Sequence, residues 1–142
     1  MKKSILVLLF PLLATAQQTV NVTIKLNDVQ TIVVNGTKNI KLEYFTQSDY
    51  QNGVKFYEAN HVDTFSTQSY FVKTKALQDN VITHNDVYLN DILQTTQEQI
   101  LFTNAAGIHS YGVQYGAKGN FEYLNKAKTS YLVQIVYSIE PQ

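Results

Sequence analysis

Val20-Asn21-Val22-Thr23-Ile24-Lys25-Leu26 alternates apolar and polar side chains without a break. A period of two belongs to an extended chain, and it places Val20, Val22, Ile24 and Leu26 on one face of a strand. The same period returns further along. Residues 70–77 set Tyr70, Val72, Thr74 and Ala76 opposite Phe71, Lys73 and Lys75. Residues 128–139, the longest expected strand, line up Tyr131, Val133, Ile135, Tyr137 and Ile139. Further strands are expected over 29–34, 40–45 (with Ile40, Leu42 and Tyr44 on one face), 87–92, 99–103 and 111–117. Residues 54–57 and 61–65 read as two strands or one bent one. Turn chemistry separates these runs at Asn35-Gly36, Gln78-Asp79-Asn80, Ala105-Ala106-Gly107 and Lys118-Gly119-Asn120. Residues 48–53 read as a loop or a single helical turn, with Ser48 as cap and Gly53 as stop. About nine short strands at 8–12-residue spacing predict an all-β protein, an immunoglobulin-like antiparallel β-sandwich of about seven to nine strands.

The chain upstream of Val20 predicts where this domain works. Met1-Lys2-Lys3 is basic, residues 5–13 are an apolar core too short to span as a stable helix, and Ala14-Thr15-Ala16 is a small-residue cleavage site. That order is the pattern of a secretory signal, with residues 1–16 removed and a mature chain starting at Gln17. Residues 17–142 are then expected to form one domain, long enough to bury a core without staples. The expected location is extracellular, cell-surface or periplasmic. No other apolar run reaches membrane-spanning length, so no transmembrane helix is expected.

Composition narrows the function. The chain has no cysteine, which excludes a disulfide scaffold and an anchor attached through an N-terminal cysteine. It has no arginine, and its lysines are scattered, which argues against a nucleic-acid partner. Without the signal, nine lysines face eleven acids. Thr, Asn, Gln and Ser make up about a third of the chain, and tyrosine is the commonest aromatic, as suits half-wet pleated surfaces.

Catalytic and metal motifs are weak. His61 and Asp63, two apart on an expected strand, would share a face. His84 lies in a turn and His109 follows Gly107. No H-E-x-x-H, cysteine pair or G-x-S-x-G is present, so no catalytic residue, metal ligand or cofactor is assigned. Asp79, Asn80, Asn85, Asp86, Asn90 and Asp91 offer oxygen ligands of the kind calcium takes, without the spacing of a calcium loop. Asn21-Val22-Thr23 and Asn35-Gly36-Thr37 match the N-glycosylation pattern, which strand and turn composition also explains. Tyr50, Tyr57, Tyr111 and Tyr115 are candidates for a ligand face, since flat aromatic rings suit sugars, although tyrosine is equally a cross-strand packing residue. The alternating segment itself suits β-strand addition, in which backbone bonds supply affinity and alternate side chains fill pockets. Val20, Val22, Ile24 and Leu26 are the candidate assembly residues; the competing reading is an ordinary first strand paired within its own domain.

These residues, together with Asp49-Tyr50-Gln51-Asn52-Gly53-Val54, Phe65-Ser66-Thr67 and the run from Tyr131 to Ile139, resemble secreted bacterial β-sandwich subunits of the fimbrial or pilin-like kind. The resemblance covers most of the mature chain. It implies a surface or fibre-forming structural role, with neighbours joined by an exchanged strand. Many chaperone-assembled pilins carry a disulfide, which this chain cannot form. The function expected is a non-enzymatic exported structural or adhesive subunit that associates with itself or with another surface protein. The alternatives are a monomeric extracytoplasmic module for a glycan or protein ligand, and an eight-stranded outer-membrane barrel.

Overall fold

The computed structural model describes residues 20–77, 87–126, 130 and 132–142. Among them the chain forms β1 (Gln30–Val34), α1 (Gln47–Asn52), β2 (Val54–Ser66), β3 (Tyr70–Leu77), β4 (Val87–Leu89), β5 (Ile92–Leu93), β6 (Gln99–Asn104), β7 (Gly107–Ala117), a 3-10 helix (Phe121–Lys126) and β8 (Gln134–Pro141). Two antiparallel sheets result. One has the order β1-β2-β7-β4-β5 and the other β6-β3-β8. The fold is all-β and sandwich-like, as its composition and periodicity predict.

β3 shows how directly pattern becomes packing. Tyr70, Val72, Thr74 and Ala76 are buried while Phe71, Lys73 and Lys75 alternate with them toward the outside. The outward lysines meet acids: Lys73 pairs with Glu140 on β8 and, with Lys75, lies near Glu98. Inward, three contacts tie the sheets together. The Thr64 and Tyr70 hydroxyls lie 2.6 Å apart. The Phe102 and Tyr111 rings stack at 4.1 Å. The Tyr115 and Tyr137 hydroxyls lie 2.5 Å apart. Val62, Leu89 and Val113 are fully buried beside Tyr115, with Ile32, Phe56, Leu101 and Ile135 packed around them.

β2 is one bent strand of 13 residues, the longest among those described. It pairs with β7 in two registers, with a shift between Glu58 and Val62, and Asn60 takes a positive φ of 50°. A bulge of this kind breaks the period of two. His61 and Val62 are consequently both buried, and Asp63 turns outward. The expected sharing of a face by His61 and Asp63 is therefore not found.

Several other elements differ from expectation. Residues 20–29 form no ladder with any described residue, so the first expected strand is not formed among them. Residues 40–45 likewise join no sheet, yet Ile40 and Leu42 pack against the core. Alternation specifies which face is apolar; it does not specify a hydrogen-bonding partner. β8 begins at Gln134, and Phe121–Lys126 is helical where no element was expected. Residues 87–92 divide into β4 and the start of β5 about Asn90 and Asp91, both with positive φ. β7 starts at Gly107 rather than 111. The expected turn at 78–80, His84 and most of the oxygen-rich stretch lie outside the described residues.

α1 is capped by Thr46 rather than Ser48. The Thr46 hydroxyl accepts from the Asp49 amide, and the Asp49 carboxylate accepts from the Thr46 and Phe45 amides at 2.7 and 2.9 Å. Those backbone bonds hold the Asp49 carboxyl below its usual range. Gly53 ends the helix as expected, at φ 83°.

The cross-sheet tyrosines set a testable alkaline limit. Burial pushes the Tyr111, Tyr115 and Tyr137 phenols above their ordinary value of 10.0. The folded state favours the neutral phenol. Its contribution to stability is fully present below pH 10 and falls above it, as the unfolded chain ionises first. Ultraviolet titration of the folded protein is expected to show these phenols ionising last, with unfolding. Tyr137→Phe is expected to flatten the alkaline fall in stability. Uniform titration of all ten tyrosines near pH 10 in the folded state would overturn this assignment.

Candidate functional site

The most exposed apolar run in the fold is the segment before β1. Val20, Val22, Ile24 and Leu26 are 84%, 81%, 81% and 89% exposed. Four large apolar side chains standing in water along one short segment are costly, since burying each contributes roughly 1.5–3 kcal/mol. The segment is tied to the fold at its C-terminal end only, among the described residues. The Thr67 amide donates to the Val29 carbonyl at 3.0 Å, and the Val29 amide donates to the Thr67 hydroxyl at 3.0 Å. Asn27-Asp28, turn-forming residues, connect this tether to the alternating run.

Among the described residues the sheets have four edge strands, β1 and β5 in one and β6 and β8 in the other. The edges on one side are β8, bonded to β3, and β1, bonded to β2. The two edges approach each other on one side of the sandwich. Their inward side chains are only half-buried: Ile32 and Val34 from β1, and Ile135, Tyr137 and Ile139 from β8. A strand edge with free amides and carbonyls, flanked by partly covered apolar side chains, is a template for a further strand. β8 is eight residues long, and the seven residues 20–26 extend to about 23 Å at roughly 3.3 Å each, which matches that edge.

The four candidate tyrosines do not gather on one face. Tyr115 is 8% exposed, and its hydroxyl lies 2.8 Å from His61 Nε2. Tyr111 faces inward and stacks on Phe102. Tyr50 sits on α1, its ring 5.2 Å from that of Tyr44, which meets Tyr123 edge-on at 5.5 Å. Tyr57 alone lies on an outer sheet face, 62% exposed. His61 is buried among Tyr115 and Tyr137. His109 packs near Tyr70, with Nε2 3.3 Å from the Ala105 carbonyl. Asp63 binds the Asn35 amide and the Ser110 hydroxyl, each at 2.5 Å, so Asn35 of the second glycosylation pattern has its amide nitrogen occupied. No group of three or more His, Cys, Asp or Glu residues able to hold a metal occurs among the described residues, and no described helix is long and apolar enough to cross a membrane.

Sequence reasoning missed Tyr88. It stands on the outer face of β4 directly across from Gly116 of β7. Gly116 in turn lies across from Lys55 of β2. The available signal was Gly112-Val113-Gln114-Tyr115-Gly116: two glycines four apart share one face of a strand and leave room there for side chains from neighbouring strands.

Comparison with protein-family models, with characterised proteins and with solved structures returns no match.

Proposed function

We propose that this protein is an exported, non-enzymatic structural subunit that joins its neighbours by strand addition, residues 20–26 of one copy pairing with the open β8 edge of the next. The observation that carries this reading is the exposure of Val20, Val22, Ile24 and Leu26 in a segment without a ladder partner among the described residues. An ordinary first strand would have buried that face in its own sheet. The edge of β8, with Ile135, Tyr137 and Ile139 half-covered, supplies the matching surface. Pairing buries the alternate apolar side chains and satisfies a row of backbone groups on both strands at once. Export follows from the signal pattern of residues 1–16.

Protein taken from its native cell envelope and run on a denaturing gel without boiling is expected to give a ladder that collapses to one band on boiling. Rows of backbone bonds must break together, so strand-paired copies resist cold detergent. A single monomer band in both lanes would overturn the proposal and return residues 20–26 to the role of a tail or a first strand.

A further inference from the structure

The outer face of the five-stranded sheet carries a second surface, separate from the strand edges. The paired positions Lys55, Gly116 and Tyr88 lie in one row across β2, β7 and β4. In the next row Tyr57 is directly opposite Gln114. Around Gly116 a cleft of about 230 Å³ opens, lined by Tyr88, Lys55, Gln114, Asp91, Asn52 and Lys118. That is smaller than the ~300–1,000 Å³ of drug-sized pockets and has room for a single ring.

The cleft is built rather than incidental. Gly116 keeps its floor clear: an added Cβ would make only ordinary contacts, 3.6 Å from Lys55 Cγ and 3.9 Å from Tyr88 Cβ, and would project into the space. Asn90 and Asp91, at φ 47° and 63°, form a left-handed two-residue turn that aims Asp91 at the cleft. The turn is locked to β7 by two bonds. The Asn90 amide donates to the Gln114 carbonyl at 2.8 Å, and the Gln114 amide donates to Asn90 Oδ1 at 2.8 Å. Lys55 Nζ then sits 3.0 Å from Asp91 Oδ1 and 3.5 Å from Gln114 Oε1. An aromatic side chain, a carboxylate, an ammonium and two amides thus line one cleft.

We propose that this cleft binds a neutral pyranose sugar, such as the end of a glycan. The apolar C–H face of a sugar ring suits the Tyr88 ring, and adjacent hydroxyls suit acceptors and donors spaced as Asp91, Gln114, Asn52 and Lys55 are. Lys55 and Asp91 pair with each other at 3.0 Å, which satisfies both charges within the cleft. Lys118 also lines it, and an acidic sugar series tests whether that charge draws an anion.

The test uses saturation-transfer NMR on the mature chain with glucose-, galactose-, mannose- and N-acetylglucosamine-terminated oligosaccharides, and sialylated ones as the acidic comparison. At least one neutral series is expected to bind, and Tyr88→Ala is expected to weaken it at least tenfold. Gly116→Val supplies a variant expected to keep the fold, because a β-branched residue suits a strand and a Cβ there meets only ordinary contacts, yet it fills the floor; it is expected to abolish binding. Silence toward every neutral sugar, a preference for the sialylated series, or unchanged binding by Gly116→Val would overturn the proposal. None of these outcomes depends on whether the chain assembles through residues 20–26.

Discussion

Deleting residues 17–27 is expected to abolish assembly while leaving a folded domain. The described segment makes no sheet contact before Val29, so its removal takes no ladder bond from β1 or β2. The truncated chain is expected to run as a monomer in light scattering and on unboiled gels. It is also expected to bind a synthetic peptide spanning residues 17–29, because the β8 edge remains intact. A single substitution separates pairing from length. Ile24→Asp keeps the extended segment but places a carboxylate where an apolar side chain must be buried. The lost burial and the desolvation of the charge together weaken the contact by about 3 kcal/mol, or roughly 100-fold. Val22→Ile, which retains the alternation, is expected to assemble normally. A truncated chain that assembles like the intact one would sink the strand-addition reading, and the open β8 edge would need another occupant.

Gly53→Ala is expected to be among the most destabilising single changes in the domain. Gly53 takes φ 83°, a region that penalises any side chain. A Cβ there would also overlap the Ala117 carbonyl oxygen and crowd the Gly119 amide. Gly119 is restricted in the reciprocal way, since its own Cβ would overlap the Gln51 carbonyl. The end of α1 and the chain leaving β7 therefore touch backbone to backbone, and no side-chain adjustment can relieve the clash. Strain and displacement together should cost about 3 kcal/mol, which urea denaturation would read as a lower midpoint with an unchanged slope. Gly112→Ala gives the contrast. Its Cβ would meet the far end of the Tyr57 side chain, which is exposed and can swing away, so that variant is expected to lose less than 1 kcal/mol. Equal losses at positions 53 and 112 would show that the backbone contact is not the cause.

The glycine between α1 and β2 was readable as a helix stop because a left-handed C-terminal position favours glycine whatever the tertiary context. Its contact with Ala117 was not readable, because that contact joins residues 64 apart in sequence. The same division runs through the candidate sites. The period of two in the run at 20–26 was legible. Its exposure and its lack of a partner among the described residues were not, since pairing is a property of two segments. Tyr115 looked like a strand-end ligand residue, but β7 continues inward there, and its hydroxyl is held by His61 and Tyr137.

Sequence alone determined the all-β class, the bounds of β3 and the stop at Gly53, because each depends on local backbone preference or on a two-residue period. It also excluded disulfides and arginine-based recognition, which need only composition. The tertiary structure decided which alternating runs found ladder partners, how the bulge at Asn60 turned His61 inward, and that Tyr88, Gly116 and Lys55 form one row across three strands. Those are consequences of register between distant segments, and register is set by the packing of the whole sandwich rather than by any one strand.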